Sequence, residues 1–214
     1  MLLDLHTHST ASDDSRASIE QYIKWIHILR KKGNEIDGFV VTDHRQFDHD
    51  VNYESVSKEN GITILKGAEL DTDTGHFLVY GITEKITSII NFADVTMSAQ
   101  KLVDVCDTYG AIAFPAHPGR AGIGFAHYLD NGVKGFETVK TAELLNGSNR
   151  PGEGEKAEEL IQSKRYNATG GSDAHIVSAI GTCMTLFESN ITNETELVAA
   201  LRSGSFKAVR MDKK

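Results

Sequence analysis

The sequence contains few residues of the kinds that mark secreted or membrane proteins. Cys106 and Cys183 are its only two cysteines in 214 residues, and both lie in apolar-patterned segments. We therefore expect buried free thiols and a cytoplasmic location rather than a disulfide. No stretch approaches the roughly 20 apolar residues of a membrane span, so we expect no membrane association. The first residues lack a basic region followed by an apolar one, and the sequence predicts no signal peptide.

Positive charge is also scarce. The chain has 22 Lys and Arg residues against 30 Asp and Glu residues, for a formal net charge of −8. Broad binding to duplex nucleic acid needs Lys and Arg to replace counterions, so we expect no stable duplex binding. A small anionic substrate stays compatible with this charge, because bound divalent cations reverse the sign of the local field.

No low-complexity run, proline-rich linker or internal repeat divides the chain, so we expect residues 1–214 to form a single domain. Strand-like and helix-like runs alternate, which predicts an α/β fold with a mainly parallel sheet. About seven such units favour a small or distorted barrel over an open sheet. The patterns predict strands at 2–5, 36–42, 62–65, 76–82, 111–114, 135–139, 167–171, 183–187 and 206–209. They predict helices at 18–32, 98–109, 154–164 and 193–202.

Histidines are placed in an ordered way. Six of the nine directly follow or end an apolar run or a glycine-rich turn: His6, His8, His44, His76, His117 and His175. The two imidazoles of His6-Thr7-His8 face the same way, because side chains alternate along a strand. The carboxyl ends of barrel strands converge at one mouth, where we expect these imidazoles to meet. The other three histidines, His27, His49 and His127, lie in helical or polar stretches, and we interpret them as structural or exposed.

Three acids accompany these histidines: Asp13, Glu69 and Asp173. A set of imidazoles and carboxylates this large is typical of a site for more than one metal ion. Mixed nitrogen and oxygen ligands favour Zn²⁺, Mn²⁺ or Fe²⁺ over Mg²⁺ and Ca²⁺, which prefer oxygen ligands. Asp4 and Asp43 lie beside ligand motifs. Orienting an imidazole and capping a turn are equally good interpretations of these two acids.

The ordered set of motifs resembles the PHP (polymerase and histidinol phosphatase) family. The motifs are Asp4-Leu5-His6-Thr7-His8-Ser9 with Ser12-Asp13, Thr42-Asp43-His44, Gly67-Ala68-Glu69, His76, Ala116-His117-Pro118 and Gly171-Ser172-Asp173-Ala174-His175. The resemblance runs from the first strand to Gly181 at least. It implies a distorted (β/α)7 barrel of the TIM type, a trinuclear metal site and phosphoesterase activity.

Carried over by position, the resemblance implies three ligand sets. His6, His8, Glu69 and Asp173 correspond to the first, and Glu69, His76 and His117 to the second, with Glu69 bridging. Asp13, His44 and His175 correspond to the third. Asp14 is the alternative to Asp13 there, and Asp13 is preferred. Among these ligands, Glu69, Asp173 and His175 are the expected catalytic residues. Some relatives carry an insertion before the last motif that helps to bind nucleotides, and the segments here are too short for one.

The implied activity is hydrolysis of a small phosphorylated substrate, such as a nucleotide or a phosphorylated metabolite, with three divalent ions as cofactors. A phosphate also attracts guanidinium groups. Arg120, Arg45 and Arg16 each follow a ligand by a few residues, and we expect at least one of them to contact it. Two alternatives stay open: an amidohydrolase-like metal hydrolase, which also begins with His-x-His, and a non-catalytic accessory module of a nucleic-acid complex. The sequence does not indicate an oligomeric state.

Overall fold

The computed structural model describes residues 1–211, in which strands and helices alternate. The strands are β1 (Leu2–Thr7), β2 (Gly38–Val41), β3 (Thr63–Thr72), β4 (Gly75–Tyr80), β5 (Ile112–Pro115), β6 (Thr141–Asn146), β7 (Asn167–Gly171), β8 (Cys183–Phe187) and β9 (Phe206–Arg210). The helices are α1 (Ile19–Lys31), α2 (Glu54–Asn60), α3 (Glu84–Ile89), α4 (Ala99–Thr108), α5 (Phe125–Asp130), α6 (Glu153–Lys164) and α7 (Glu194–Ser203). One 3-10 turn spans Val177–Ala179.

Seven strands form one sheet in the order β5-β4-β3-β2-β1-β8-β9, and β6 and β7 form a separate parallel pair. The pairs β1–β2 and β2–β3 are parallel, whereas β3–β4, β4–β5, β1–β8 and β8–β9 are antiparallel. The prediction of a mainly parallel sheet is therefore wrong. One reason is the connection from β3 to β4, which has only two residues, whereas a parallel crossover needs a dozen or more.

Backbone contacts close the curled sheet at one end. The β1 residue Thr7 forms an isolated parallel bridge with Ala174, which follows β7. Asp173 N–H donates to the His6 carbonyl at 2.7 Å, and His8 N–H donates to the Ala174 carbonyl at 2.9 Å. The carboxyl ends of β1 and β7 are thus held together. The result is an α/β fold with a strongly curled half-barrel sheet, which confirms the expected distorted TIM-like barrel.

Most other elements lie close to where the sequence predicts them. The exceptions are one misplaced strand and three short helices that were not predicted. The prediction of a strand at 135–139 is wrong, because the strand in this region is β6, which begins only at Thr141. Its sequence, Thr-Ala-Glu-Leu-Leu-Asn, is rich in helix formers, and pairing with β7 overrides that preference. The short helices α2, α3 and α5 have six or seven residues each, too few to show a helical period in the sequence.

Two apolar clusters support the mouth of the half-barrel. One, on both sides of β3 to β5, contains Phe77, Tyr80 and Phe114, and the other lies under α1. From α1, the buried Tyr22 hydroxyl donates to the carbonyls of His8 at 2.9 Å and Ala174 at 2.7 Å. The helix begins with a complete capping box on Ser18, which fixes its first turn. Helix α1 therefore anchors the segments that present the histidines.

Both cysteines are free and buried, as predicted. Burial raises the pKa of each thiol to about 12. None of the helices among residues 1–211 combines the length and the apolar character that a membrane span requires.

Candidate metal centre

Side chains on or directly after six strands converge at the closed mouth of the half-barrel. Because these strands meet there, residues as distant in sequence as His8 and His175 become neighbours in space. The contributing residues are His6 and His8 from β1, His44 after β2, Glu69 on β3, His76 on β4, His117 after β5, and Asp173 and His175 after β7. The structure thus brings together all six histidines, Glu69 and Asp173.

Glu69 lies at the middle of this arrangement and is almost fully buried. Its two carboxylate oxygens face different imidazoles. Oε2 lies 3.0 Å from His6 Nε2, 3.3 Å from His8 Nε2 and 3.3 Å from His44 Nδ1. Oε1 lies 2.7 Å from His117 Nε2 and 2.9 Å from His76 Nδ1. A carboxylate with this surrounding has the geometry of a bridge between two ligand sets.

The first ligand set consists of His6, His8, Glu69 and Asp173, and we call it the buried cluster. Its four side chains are no more than 2% exposed. Their donor atoms lie within 4.8 Å of one another. His8 Nε2 is 3.3 Å from both Glu69 Oε2 and Asp173 Oδ1, yet it has no hydrogen-bond partner. A buried nitrogen aimed between two carboxylates without a partner fits a site for a cation.

The second set consists of Glu69, His76 and His117, whose donor atoms also lie within 4.8 Å of one another. His117 is buried, and its Nδ1 atom has no hydrogen-bond partner. His76 is 20% exposed, and its Nε2 atom lies 3.1 Å from Oδ1 of Asp71, which is two residues after Glu69 on β3. The same alternation that aims Glu69 at the mouth therefore aims Asp71 there.

The third set consists of His8, His44 and His175, and we call it the exposed cluster. The rings of His44 and His175 stack on that of His8, with centroids 4.3 and 4.2 Å away. Their side chains are 15% and 27% exposed. The acid beside them is Asp14, whose Oδ2 lies 3.4 Å from His44 Nε2 and 3.2 Å from His175 Nε2.

Asp13, the preferred acid for this set, lies elsewhere. Its side chain is 78% exposed and pairs with Arg45 at 3.5 Å. The turn after β1 directs Asp14 towards the imidazoles and Asp13 towards solvent. Adjacent residues in a turn point in different directions, which sequence spacing does not resolve. Position therefore favours Asp14 over Asp13 as the acid of the exposed cluster.

Backbone strain is concentrated around these groups. Four non-glycine residues in the described chain have a positive φ: Arg45, His117, Arg165 and Asp173. Arg165 is the C-cap of α6, and the other three belong to the mouth. Left-handed backbone in residues other than glycine costs free energy and is found most often at functional sites. The loops after β2, β5 and β7 are thus held in unusual conformations to present their side chains.

Without a metal ion, the acids and imidazoles shift one another's pKa values. Burial raises the pKa of the Glu69 carboxyl, but the electrostatic effects of the neighbouring His6 and His117 outweigh burial and hold it well below its ordinary value. Burial also raises the pKa of the Asp173 carboxyl. His6 and His8 lower this pKa by more, so it lies well below its usual range. Burial lowers the pKa of His6, but Glu143, Asp173 and Glu69 outweigh burial and hold it well above the ordinary value.

His44 in the exposed cluster shows the opposite shift. Burial lowers its pKa, and the nearby Glu69 charge only partly offsets this effect. Protons therefore accumulate in the buried cluster and not on His44. The carboxylates hold positive charge at the position where divalent cations would hold it.

The three arginines differ in their relation to the mouth. Arg120 is 22% exposed, and its guanidinium donates to Asp173 Oδ2 at 2.7 Å and to Asn146 Oδ1 at 3.3 Å. Arg45 is 39% exposed, between Asp13 and Asp71. Arg16 is exposed, and its backbone N–H donates to the His175 carbonyl at 3.0 Å. The structure thus brings Arg120 into the centre, Arg45 to its rim and the backbone of Arg16 beside it.

Two buried residues of β6, Glu143 and Asn146, belong to the site and were missed by the sequence analysis. Glu143 Oε1 lies 3.0 Å from His6 Nδ1, and Asn146 Nδ2 donates to Asp173 Oδ2 at 3.3 Å. The signal that could have revealed them is a charged residue within the apolar run Ala142-Glu143-Leu144-Leu145. Placing the strand at 135–139 concealed that signal.

The other residues singled out in the sequence have structural contacts. Asp4 accepts hydrogen bonds from the backbone N–H groups of His6, Ser172 and Gly181, which favours the turn interpretation. Asp43 accepts from Ser9 and Ser12 and so fixes the turn after β1. The remaining histidines lie outside the clusters: His27 is 3.4 Å from Asn60, His49 is 3.0 Å from Thr87, and His127 is exposed.

Comparison with known proteins agrees with this geometry. The model of the PHP domain matches residues 4–109, and the model described as PHP-associated matches residues 151–206. The chain belongs to the PHP family. The matched segments include every member of the buried cluster, and the clusters indicate the polynuclear divalent metal site typical of that family. No curated protein matches the chain in sequence.

Several solved structures share the fold. PsfC from Pseudomonas syringae PB-5123 is 19% identical with a TM-score of 0.67, and the match covers 98% of this chain and 91% of PsfC. A two-domain protein from Bacteroides vulgatus, containing a predicted PHP-like metal-dependent phosphoesterase, is 17% identical with a TM-score of 0.64 and coverage of 99% and 65%. The lesion-specific endonuclease PfuEndoQ from Pyrococcus furiosus is 16% identical, with a TM-score of 0.69 and coverage of 97% and 58%. At these identities the likeness shows the fold alone, and this chain spans less than two thirds of the last two proteins.

Proposed function

We propose that this PHP protein is a metal-dependent phosphoesterase that hydrolyses a small phosphorylated substrate, such as a nucleotide or a phosphorylated metabolite. The observation that carries the proposal is the buried carboxylate of Glu69. Each of its two oxygens lies within 3.3 Å of nitrogen atoms from a different set of imidazoles. An arginine lies beside the same site. This combination supports chemistry on an anionic ester more directly than any other arrangement in the described chain.

The donor set fits three divalent ions, which we infer to be Zn²⁺, Mn²⁺ or Fe²⁺ because imidazoles supply most of the ligands. The buried cluster would hold one ion, Glu69 with His76 and His117 a second, and Asp14 with His44 and His175 a third. When bound, such ions would lower the pKa of water to about 7 and neutralise charge on phosphoryl oxygens. The mutual pKa shifts of Glu69, Asp173 and His6 support this assignment, because the carboxylates already stabilise positive charge there.

The protein's own groups would bind and orient the phosphate. Arg120 is fixed by Asp173 and Asn146 and partly exposed, so its remaining N–H groups are free to donate to a phosphoryl oxygen. Arg45 and Arg16 lie at the rim, where they would attract an anion from solvent. His175 is held by its Nδ1 atom, 3.0 Å from the Asp173 carbonyl, which leaves Nε2 directed at Asp14 Oδ2, 3.2 Å away. We assign Glu69, Asp173 and His175 as the catalytic residues.

The proposal is tested by reconstitution and a substrate screen. Protein stripped with a chelator should be inactive, and Zn²⁺, Mn²⁺ or Fe²⁺ should restore hydrolysis of phosphomonoesters or phosphodiesters. Parallel assays with amide and lactone substrates test the amidohydrolase alternative. Restored hydrolysis of amides without phosphate release would contradict the proposal. Full metal loading with no hydrolysis of any ester would favour the accessory-module alternative.

A further inference from the structure

Glu143 is a buried carboxylate in contact with the ligand sets that the proposed activity does not use. It is fully buried on β6, and both of its oxygens accept hydrogen bonds. Oε1 lies 3.0 Å from His6 Nδ1. Oε2 accepts from the backbone N–H of His117 at 2.7 Å and from Asn146 Nδ2 at 3.0 Å. One carboxylate therefore touches residues that belong to two different ligand sets.

The contact with His6 determines which ring nitrogen faces the clusters. A carboxylate at Nδ1 favours a proton on that atom, which leaves the lone pair on Nε2. His6 Nε2 lies 3.0 Å from Glu69 Oε2 and 3.4 Å from Asp173 Oδ1, inside the buried cluster. Glu143 thus holds the ring so that its ligating nitrogen points at the other donors of the cluster.

The contact with His117 accounts for a strained backbone. His117 has a φ of +26°, which residues other than glycine rarely adopt. Its N–H group would be a buried donor without Glu143, and the 2.7 Å bond supplies its acceptor. With the backbone held this way, His117 Nε2 lies 2.7 Å from Glu69 Oε1. The strain is therefore kept in place by the same side chain that orients His6.

Asn146 extends the network to the third side of the buried cluster. Its Nδ2 group donates to Glu143 Oε2 and, at 3.3 Å, to Asp173 Oδ2. Its Oδ1 atom accepts from Arg120 at 3.3 Å. Glu143 and Asn146 therefore connect His6, His117 and Asp173 through β6, a strand that itself supplies none of the donor atoms of the three ligand sets.

We propose that Glu143 is a positioning residue that sets the ring orientation of His6 and the backbone of His117 for divalent metal binding, an inference that rests on the proposed function. Carboxylates that accept the second N–H of a ligating imidazole typically change metal affinity about 10- to 100-fold when they are replaced. The requirement is for a carboxylate rather than an amide, because both oxygens accept hydrogen bonds from opposite sides.

The variant Glu143→Gln tests this requirement at nearly constant volume. A glutamine side chain has one accepting oxygen and one donating NH2 group. Its NH2 group must therefore face either His6 Nδ1 or the backbone N–H of His117. In the first case His6 Nδ1 must accept, and its proton moves to Nε2, where it opposes a cation. In the second case the buried His117 N–H loses its acceptor. Glu153→Gln is the matched control, because Glu153 is a buried carboxylate that accepts from Ala121 and Arg150 but touches no imidazole.

The experiment starts from Zn²⁺-loaded protein and measures the metal retained per chain against a graded series of chelator concentrations. The Co²⁺-substituted proteins provide a visible absorption spectrum as a second readout of ligand geometry. We expect Glu143→Gln to weaken retention of its tightest ion about 10- to 100-fold and to alter the Co²⁺ spectrum. Glu153→Gln should retain metal within about twofold of the wild type and keep its spectrum.

The outcomes separate the inference from the proposed function. A wild type that retains no divalent ion overturns the proposed metal centre and this inference with it. A wild type that retains ions, beside a Glu143→Gln variant with the same retention and spectrum, overturns the inference alone. If Glu143→Gln does not fold, Asn146→Ala takes its place, since it removes the donor shared by Glu143 and Asp173. Weaker metal retention in that variant supports the network, and unchanged retention overturns it.

Discussion

The buried cluster and the exposed cluster share His8 but differ in their access to solvent. In the buried cluster, no side chain is more than 2% exposed, and carboxylates and imidazoles lie within 3.4 Å of one another. In the exposed cluster, His44 and His175 are 15% and 27% exposed, and the nearby Asp14 is 52% exposed. Metal sites that are fully closed by protein groups hold their ions, and sites with an open position exchange ligands with solvent.

This difference in solvent access indicates different roles for the two clusters. The buried cluster has the features of a site that holds an ion permanently and helps to fix the loops around it. The exposed cluster, next to Arg45 and the backbone of Arg16, has the features of a site that a substrate reaches. The comparison therefore predicts that ions leave the exposed cluster first and that a substrate enters the mouth from that side.

The largest effect is expected from residues of the buried cluster. His8→Ala removes a ligand from the buried cluster and the ring on which His44 and His175 stack, and Asp173→Asn removes a charge from the buried cluster. Losing several kcal/mol of charge stabilisation should reduce phosphoesterase kcat by at least about a thousandfold. The fold should persist, because the site lies at the mouth of the half-barrel. Circular dichroism and kinetics on one phosphomonoester provide the measurement.

The control for these variants is His27→Ala, which changes a histidine on α1 outside the clusters. It should keep most of the activity. If His27→Ala were as inactive as His8→Ala while equally well folded, the assignment of histidines to the site would be wrong.

Replacing the arginines should have an intermediate effect. A hydrogen bond to a charged group contributes about 1.5–3 kcal/mol, so Arg120→Ala should lower kcat/KM about ten- to a hundredfold without loss of metal. Arg45→Ala and Arg16→Ala should have smaller effects, because these residues lie at the rim. Arg202→Ala is the control, since Arg202 pairs with Asp107 and the Ala111 carbonyl beside the start of β5. Wild-type kinetics in Arg120→Ala, Arg45→Ala and Arg16→Ala would remove the phosphate-binding role and favour the amidohydrolase alternative.

A smaller effect should distinguish the two neighbouring aspartates. Asp14→Asn should weaken the ion of the exposed cluster about tenfold, because it neutralises the acid beside His44 and His175. Asp13→Asn should leave that ion unchanged, since Asp13 is exposed and pairs with Arg45. Isothermal titration of each variant with Mn²⁺ measures the difference. The reverse ranking would restore Asp13 as the ligand.

The subtlest contrast concerns protons. In the absence of metal, the pKa of His6 is well above its ordinary value of 6.5, so His6 is protonated at pH 7 and must lose its proton to bind an ion. The pKa of His44 is lowered, so that imidazole is already neutral. Affinity of the buried cluster should therefore rise about tenfold per pH unit for each proton released, whereas the contribution of His44 should be constant above pH 6.5. Zn²⁺ titrations in buffers with different ionisation enthalpies count the protons, and equal release in both steps would remove the contrast.

Much of the site could be predicted from the sequence because its residues follow strands. The carboxyl ends of strands converge in any barrel-like sheet, so His6, His44 and His117 could be grouped without knowing the sheet order. That argument fails within turns. Asp13 and Asp14 are adjacent, and only the folded turn decides which of them faces His44.

Other features of the fold and the site could not be predicted because they depend on which strands pair in the folded protein. Glu143 lies in a stretch of helix formers that becomes a strand only through its pairing with β7. Four antiparallel pairs are present where parallel ones were expected, and only the pair β3–β4 is explained by a connection too short for a crossover. That residues 1–214 form one domain, and that ions occupy all three ligand sets, stay predictions.

The central claim is that one buried carboxylate, Glu69, joins several metal ions at this mouth. Elemental analysis of protein purified without chelator and reconstituted with Zn²⁺ or Mn²⁺ tests it most directly. Our account predicts more than one ion per chain, approaching three, with the ion of the exposed cluster lost first on graded chelation and Glu69→Gln reducing the total by at least one. At most one tightly bound ion per chain after reconstitution would contradict the account.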